Sequence, residues 1–287
     1  MIDTLLIPGV LVVLAVLLLG LERRFPLRRP TRPLRQRLWV NLAITGMAFA
    51  VAGLVVAPVA QWTLGVTADR GFGLIPWLGL SAGPAAVVGF LGMDAAFYAW
   101  HRANHEIGFL WRFHAAHHVD PDLDVTTSFR FHPGEIALSA GFRLVQLGLL
   151  GVPAWVLIGY EAVFLGNTLL HHSNVRLPLR LERGLHLVLV TPRMHGVHHS
   201  QVREETDANY SVVLPWWDHL LGTIHLDVPQ DQVRIGVPAW DGERAEGLRT
   251  GLLVPLTPPA AHRIGPDGAE PQRDPHLRTG YPGRITA

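Results

Sequence analysis

The histidines of this chain are concentrated in short boxes whose spacing is typical of metal ligands. Twelve of the sixteen histidines lie between His101 and His199. The boxes are HRANH at 101–105, HAAHH at 114–118, HHSN at 171–174 and HGVHH at 195–199. In a helix, positions i, i+3 and i+4 share one face, so each HxxHH box presents three imidazoles in one direction and HRANH presents two. Eight imidazoles are too many for one ion, so the spacing predicts a site for more than one metal.

Local sequence signals predict a helix at each of the two HxxHH boxes. Thr191 can cap a helix whose first residue is Pro192, so residues 194–199 are predicted to be helical. In the middle box, Pro121 predicts that the helix ends just beyond His118. The three imidazoles of each box should therefore lie on one short helical turn.

A carboxylate and a phenol precede the first box on the same helical face. Asp94, Tyr98 and His101 are spaced i, i+4 and i+7. An oxygen beside a metal-binding histidine orients the ring by accepting the hydrogen of its other nitrogen. We predict that Asp94 and Tyr98 hold a histidine ligand in place in this way.

Two long apolar runs near the N-terminus predict membrane-spanning helices. Residues 4–21 and 38–60 carry no charged side chain, and a spanning helix takes about 20 apolar residues. A cleaved signal peptide is the alternative for the first run. Asp3 precedes that run and the arginines follow it, so we predict an uncleaved anchor.

The segment between these two runs is rich in arginine. Its arginines are Arg23, Arg24, Arg28, Arg29, Arg32, Arg35 and Arg37. A nucleic-acid patch is the rival interpretation, but a short basic loop between spans is better explained by the excess of arginine in cytoplasmic loops. We expect a cytoplasmic loop and no nucleic-acid partner. Cysteine is absent, which excludes disulfides, thiolate ligands and thiol catalysis.

From that loop, the predicted topology brings every histidine box to one membrane face. Residues 38–60 cross outward, and residues 72–100 form a short interfacial piece and a span that returns inward to His101. Residues 136–170, broken at 151–153, predict a membrane hairpin that leads back to the same side. Arg143 and Glu161 lie inside this hairpin, where charges are costly unless they face protein or water.

The predicted fold class is therefore all-α, a multi-span transmembrane helical protein with a cytoplasmic helical cap that carries a histidine-rich dimetal site. We predict three regions: N-terminal anchor helices with the arginine-rich loop (1–71), a catalytic domain (72–225) and a Pro/Gly-rich extension (226–287). From about residue 251 onward the extension has little apolar periodicity, which predicts a loosely ordered surface segment. The expected location is a bacterial inner membrane, with the histidines on the cytoplasmic side.

The order and spacing of the boxes resemble the fatty acid hydroxylase / sterol desaturase superfamily of integral membrane di-iron oxygenases. The segment RFHPGE at 130–135 resembles the RxHPxE motif of that family, and NVRLP at 174–178 resembles the continuation of its HxN motif in bacterial members. Asp207 to Tyr210, Trp217-Asp218 and Gly222-Thr223 resemble its closing motifs. The resemblance runs from about Asp94 to Thr223.

The resemblance implies nine metal ligands: His101, His105, His114, His117, His118, His172, His195, His198 and His199. Asp207, Asn209 and Glu135, in the family's other motifs, are further candidates for groups beside the metals. Members with a fuller set have a further histidine four residues before the one that matches His172, where this chain has Thr168. His171, which is adjacent to His172, is either a substitute ligand or a bystander. His132 either has a role beside the metals or makes a structural hydrogen bond with Glu135 or Arg130. Leu221 stands where the closing motif usually has an aromatic residue.

The remaining histidines lie outside any box spacing, and we do not predict them to be ligands. They are His186, His219, His225, His262 and His276. Imidazoles favour iron, zinc, copper or nickel without choosing among them. Two irons and dioxygen as co-substrate enter through the resemblance, as does a lipid substrate that reaches the site from the bilayer.

The implied function is O2-dependent hydroxylation or desaturation of a lipid, such as a sterol or fatty acyl chain, at a C–H bond. No side chain beyond the metal ligands is assigned as a catalytic acid or base. Electrons would come from a separate donor such as a ferredoxin, because Glu135 replaces the second glycine of a haem-type HPGG motif. A membrane zinc hydrolase is disfavoured because no HExxH occurs and no carboxylate lies inside a box. A non-catalytic metal or haem carrier is the third alternative.

Overall fold

The structure is a computed structural model that describes residues 6–242 and 247–274. Its α-helices, in chain order, are α1 Leu6–Arg24, α2 Leu34–Val51, α3 Ala57–Arg70, α4 Leu74–Trp77, α5 Ala82–Glu106, α6 Gly108–His118, α7 Pro133–Leu150, α8 Ala154–His172, α9 Leu179–Leu185, α10 Pro192–His198, α11 Arg203–Thr206, α12 Trp216–Leu221, α13 Leu248–Leu253 and α14 Pro259–His262. Over these described ranges there is no β-strand beyond two isolated bridges. The predicted all-α class is confirmed.

Among the described residues, three helical stretches are long and apolar enough to cross a membrane: Leu6–Arg24, Leu34–Trp77 and Ala82–Glu106. In the second stretch, α2 continues through a π-helical turn at Ala52–Val56 into α3. Large apolar side chains on these stretches face outward, and Leu54 is 79% exposed. A helix that is apolar on its outer face is stable in lipid rather than in water. The chain is therefore a membrane protein, as its apolar runs predict.

A helical hairpin follows, formed by α7 and α8, and it turns at Gly151. Gly151 has a φ of 62°, and a Cβ there would collide with the Phe72 carbonyl oxygen, so only glycine fits this turn. The buried residues that hold the hairpin against α5 are Met93, Leu147, Val156 and Tyr160, among others. The hairpin forms where the sequence predicts it, and its crossing of the membrane stays a prediction.

The two charges inside this hairpin neutralise each other. The Arg143 guanidinium donates to the Glu161 carboxylate and to Gln146 Oε1. It also lies over the Phe97 ring, 4.7 Å from the ring centroid. Pairing and the cation–π contact both lower the cost that these charges would carry if the hairpin crosses the membrane as predicted.

The helices that carry the histidines end where the sequence predicts. α6 ends at His118, and α10 begins at Pro192 with the Thr191 hydroxyl accepting a hydrogen bond from the Met194 N–H. The predicted end of α6 and the predicted cap of α10 are confirmed, whereas His199, predicted to be helical, lies one residue beyond the end of α10.

The expectation of a loose surface segment from residue 251 is wrong for the part of that segment nearest the core. α13 packs against α2 and α6, and Val254 is 1% exposed in a cluster with Trp111 and Val119. A few well-placed apolar side chains suffice to anchor this segment, although they show no helical periodicity. Residues 275–287, including His276, lie outside the described residues.

Candidate metal centre

Nine buried histidines from four helices converge beside the ends of α5, α6, α8 and α10. Their ring nitrogens form two groups, and within each group the candidate ligand atoms lie within 4.8 Å of one another. The first group is His101, His105, His114, His118 and His198. The second group is His117, His172, His195 and His199. These are the nine histidines that the family resemblance implies as ligands.

Each HxxHH box contributes to both groups. His114 and His118 belong to the first group, whereas His117 belongs to the second. In the last box the division is reversed, because His198 belongs to the first group while its neighbours His195 and His199 belong to the second. Positions i and i+4 differ by about 40° around a helix, and adjacent positions by about 100°, so one turn can address two neighbouring sites.

The spacing of the ring nitrogens suits shared cations. Nε2 of His172 lies 3.0 Å from Nε2 of both His117 and His195. Nε2 of His199 lies 3.1 Å from Nε2 of His195. Two imidazole nitrogens bound at right angles to one ion, with bonds of about 2.1 Å, would lie about 3 Å apart.

Two of the first group's rings are oriented by backbone carbonyl groups of one loop. His101 Nδ1 donates to the Tyr210 carbonyl oxygen at 2.7 Å, and His198 Nδ1 donates to the Ala208 carbonyl oxygen at 2.7 Å. A carbonyl oxygen can only accept, so Nδ1 carries the proton and the Nε2 lone pair of each ring is free for a metal. The loop at 208–210 therefore sets the tautomer of two candidate ligands.

Two further rings are oriented in the same way by other elements. Glu135 Oε1 lies 2.9 Å from Nδ1 of His114, and the Thr168 carbonyl oxygen accepts from Nδ1 of His172 at 2.9 Å. The predicted role of Glu135 beside the centre agrees with this contact. Thr168 contributes through its backbone, so the absence of a histidine side chain there leaves His172 correctly oriented.

The orienting loop is itself held by two buried side chains. Asn209 adopts a φ of 54°, and its amide donates to the carbonyl oxygens of Met194 and His225. The Asp218 carboxylate accepts from the N–H groups of Tyr210 and Ser211, each at 2.8 Å. Burial raises the pKa of Asp218 to about 6, although these hydrogen bonds oppose the rise. The motif Trp217-Asp218 is the sequence signal that points to Asp218, which the sequence-based assignment omits.

Asp94 and Tyr98 have different partners from those predicted. The Asp94 carboxylate accepts from the Leu214 N–H at 3.1 Å and the Trp217 indole at 2.8 Å. The Tyr98 hydroxyl bonds to the Thr223 hydroxyl at 2.9 Å. Both side chains therefore attach residues 214–223 to α5. The nitrogen of His101 that they were expected to hold is bonded to the Tyr210 carbonyl oxygen instead.

The remaining candidate residues, His132, His171 and Asp207, belong to neither group. His132 caps α7 by accepting from the Gly134 N–H at 2.9 Å and bonds to the Leu252 carbonyl oxygen, so its bonds are with neither Glu135 nor Arg130. The His171 ring packs 4.1 Å from the His195 ring and lies outside both groups. Asp207 Oδ1 lies 3.7 Å from His105 Nδ1.

The centre is electrically suited to a cation. Burial, reinforced by neighbouring imidazoles, lowers the pKa of several of these histidines well below 6.5: His117, His118, His195 and His199. For His198, burial lowers the pKa to about 3. These five rings are therefore neutral at physiological pH, which is the state that binds a metal. Nε2 of His198, the ring whose Nδ1 is bonded to Ala208, is buried and has no hydrogen-bond partner among the described residues, as expected where a lone pair faces an ion.

An ion-pair cluster secures the segment that follows α6. Arg37 donates to both oxygens of Asp120, at 2.6 and 2.7 Å, and to Asp124 at 2.8 Å. Burial alone would raise the pKa of Asp120, but the Arg37 charge and hydrogen bonds outweigh it and bring the pKa to about 2. This cluster joins α2 to the end of the HAAHH helix. The sequence-based assignment places Arg37 only in a basic loop.

Fold and site together define a helical membrane protein with a paired, all-histidine centre suited to two metal ions. Residues 86–223 match the fatty acid hydroxylase family. This match confirms the resemblance predicted from the boxes.

The relatives of this chain include enzymes named for lipid oxidation. It is 36% identical over 174 residues to the ornithine lipid hydroxylase OlsE of Rhizobium tropici, covering 60% of this chain and 50% of the relative. It is 33% identical over 153 residues to the alkylglycerol monooxygenase of Homo sapiens, covering 53% of this chain and 32% of the relative. The chain thus spans half or less of the length of these relatives. No solved structure gives a significant match.

Proposed function

We propose that this chain is an O2-dependent oxidoreductase that hydroxylates or desaturates a membrane lipid at a C–H bond. The nine-histidine centre is the observation that carries the proposal, because it offers two adjacent sites to metal ions within one buried region. The family match and the names of the relatives, a hydroxylase and a monooxygenase, support oxygen chemistry. The two named substrates, ornithine lipid and alkylglycerol, support a lipid as the substrate class.

We infer that the two ions are iron. The residues fit such ions, since burial keeps the His198 imidazole neutral and its Nε2 has no other partner among the described residues. When bound, a pair of irons supplies the redox chemistry that activates dioxygen toward an unactivated C–H bond. The nine histidines would hold the ions, five on one side and four on the other.

The protein's own contribution is position, orientation and exclusion of water. The carbonyl groups of Ala208 and Tyr210 keep Nδ1 of His198 and His101 protonated, so both Nε2 atoms face the centre. Glu135 does the same for His114. All nine rings are at most 9% exposed, which keeps bulk water from the centre. The two carboxylates nearest the centre, Glu135 and Asp207, lie beside Nδ1 atoms, and we assign no side chain as a general acid or base.

The proposed setting is the inner membrane of a bacterium, with the histidine centre on the cytoplasmic side. The arginine-rich loop between α1 and α2 supports this orientation, because cytoplasmic loops carry the excess of arginine. A lipid would reach the centre from the bilayer, and a separate carrier such as a ferredoxin would supply electrons from the cytoplasm.

The proposal is tested by metal analysis and lipid profiling together. The purified protein should contain two irons per chain and show no Soret band. Lipid extracts from cells that express the wild-type chain should contain a species heavier by one oxygen or lighter by two hydrogens than in cells that express His198→Ala. Two zincs per chain with hydrolytic activity, or bound haem, would overturn the proposal.

A further inference from the structure

A cavity of about 1000 Å³ lies beside the loop that joins α1 to α2, apart from the histidine centre. Its walls also include residues 121–124 and 230–235. Six arginines line it: Arg23, Arg28, Arg29, Arg32, Arg176 and Arg234. The arginine-rich loop therefore forms the wall of a concave site as well as a charged surface.

Several acidic residues of the same cavity are already bonded within its walls. The Asp122 carboxylate accepts from the N–H groups of Thr31 and Arg32, at 2.8 and 2.9 Å. Asp124 accepts from Arg23 at 3.2 Å and from Arg37. These carboxylates serve to shape the loop, and they do not reach Arg28 with a hydrogen bond.

Arg28 is the residue that points to a ligand. It is only 7% exposed, and its Nη1 donates to Gln230 Oε1 at 2.7 Å and to the Pro192 carbonyl oxygen at 3.4 Å. Its Nε and Nη2 atoms are buried and have no hydrogen-bond partner among the described residues. Burial, reinforced by the charge of Arg193, lowers its pKa to about 10, so it remains a cation at neutral pH.

A buried guanidinium with three unpaired N–H groups is costly unless an anion completes it. Nε and Nη2 lie on one edge of the guanidinium plane, which is the edge that binds two oxygens of one phosphate. Arg29 and Arg176 add two exposed guanidinium groups to the cavity lining. We propose that this cavity is a binding site for a phosphate group, with Arg28 as its central ligand.

The proposed phosphate site is in direct contact with α10, the helix that carries candidate ligands His195 and His198. The Arg28 guanidinium packs on the backbone of α10 so closely that a Cβ added at Gly196 would collide with it. Gly196 lies between candidate ligands His195 and His198, in the helix whose first residue, Pro192, accepts from Arg28. A phosphate on Arg28 would therefore stabilise the position of α10.

The surface beside the cavity favours a phosphate carried by a lipid over a soluble one. Arg176 also lines a neighbouring cavity of about 540 Å³, whose other lining residues are Leu177, Pro178, Leu179, Val228, Arg183 and Arg193. Leu179 and Leu181 are 44% and 51% exposed. Apolar surface therefore continues from the arginines, as an acyl chain attached to the phosphate would require.

The first test uses inorganic phosphate as the probe and thermal unfolding of the full chain in detergent as the readout. Phosphate should raise the unfolding temperature of the wild-type protein by about 2–4 °C over chloride at equal ionic strength. Arg28→Gln should abolish the rise. Arg35→Gln removes an exposed arginine in the first turn of α2 that does not line the cavity, and it should keep the rise.

The second test separates the two sources of the phosphate. The protein is mixed with equal amounts of phosphatidylglycerol and diacylglycerol in detergent, and retained lipid is measured by native mass spectrometry. Retention of phosphatidylglycerol over diacylglycerol by the wild type, reduced about tenfold in Arg28→Gln, identifies a lipid-borne phosphate. Stabilisation by inorganic phosphate without lipid retention identifies a soluble one.

If the wild-type protein shows neither stabilisation by phosphate nor retention of phosphatidylglycerol, the proposal is overturned. This outcome can be read even if Arg28→Gln fails to fold. Equal losses in Arg28→Gln and Arg35→Gln also overturn it, because they would reflect the net charge of the loop. Neither measurement requires turnover, so failure here is distinguishable from failure of the proposed reaction.

Discussion

His198 and His199 are adjacent in sequence, yet their rings belong to different groups of the centre. Their ring centroids are 5.5 Å apart and their planes are inclined at 82°. His198 faces the group that includes His101 and His105, and His199 stacks on His118 at the boundary between the groups, 4.2 Å away. The last turn of α10 and the residue after it thus supply candidate ligands to two metal sites, and the two sites can be tested separately.

Removing one histidine from each group should reduce the metal content in separable steps. We expect His117→Ala to weaken the four-histidine site and His198→Ala to weaken the five-histidine site, with turnover falling by at least about 100-fold in both. Metal content by mass spectrometry and lipid turnover are the measurements. His219→Ala is the matched control, because His219 lies outside both groups. Full turnover and two metals per chain in both ligand variants would refute the assignment.

Glu135 should control metal affinity through His114. The carboxylate accepts from Nδ1 of His114 at 2.9 Å, so Glu135→Ala removes the group that orients this ring. We expect metal affinity to fall about 10–100-fold, and less in Glu135→Gln, whose amide oxygen still accepts. Competition with a chelator measures the affinity. Glu204→Gln, at an exposed position, should leave it unchanged, and equal affinity in Glu135→Ala and the wild type would contradict the role.

The metal-free protein should lose stability as the pH falls from 7 to 5. Burial lowers the pKa of His198 from 6.5 to about 3, so below pH 6.5 the unfolded chain binds a proton that the folded chain does not. The stabilising effect of keeping this ring neutral is present above 6.5 and is lost as the pH falls, by up to about 1.4 kcal/mol per pH unit for each such histidine.

The slope is measured by chemical unfolding of chelator-treated protein at several pH values. The variant His198→Gln should show a shallower dependence than the wild type, because it has one fewer group that titrates only when unfolded. A metal-free wild-type protein that is equally stable at pH 7 and pH 5 would contradict this account.

Arg37 should be far more important for stability than Arg35, the other arginine in the first turn of α2. It is 5% exposed and bonded to Asp120 and Asp124, so Arg37→Met leaves buried carboxylates unpaired and should cost about 3–5 kcal/mol of unfolding free energy. The matched control Arg35→Met, at an exposed position, should cost less than about 0.5 kcal/mol. Denaturant unfolding checks both values, and equal stabilities would exclude a structural role for the cluster.

Local sequence patterns predict the helices of the centre well because each pattern acts within one or two turns. Thr191 and Pro192 start α10, and Pro121 follows the end of α6, since caps and proline restrict the backbone locally. Apolar runs likewise predict the spans, because hydrocarbon thickness sets their length.

Longer-range partners are harder to predict because they depend on how distant elements pack. Asp94 shares a helical face with His101, which suggests contact, but it instead accepts hydrogen bonds from Leu214 and Trp217, more than a hundred residues away. The partner of His101 is the carbonyl oxygen of Tyr210. Every residue has a carbonyl group, so no side-chain pattern distinguishes this one.

The sequence alone predicts which nine histidines converge, since box spacing places several imidazoles on each helical turn and the family motifs supply His172. The division into five and four is visible only in the tertiary structure. Helical periodicity relates side chains within one helix and carries no information about which helix lies opposite. The packing of α5, α6, α8 and α10 decides that His118 and His198 share one site while their sequence neighbours His117 and His199 share the other.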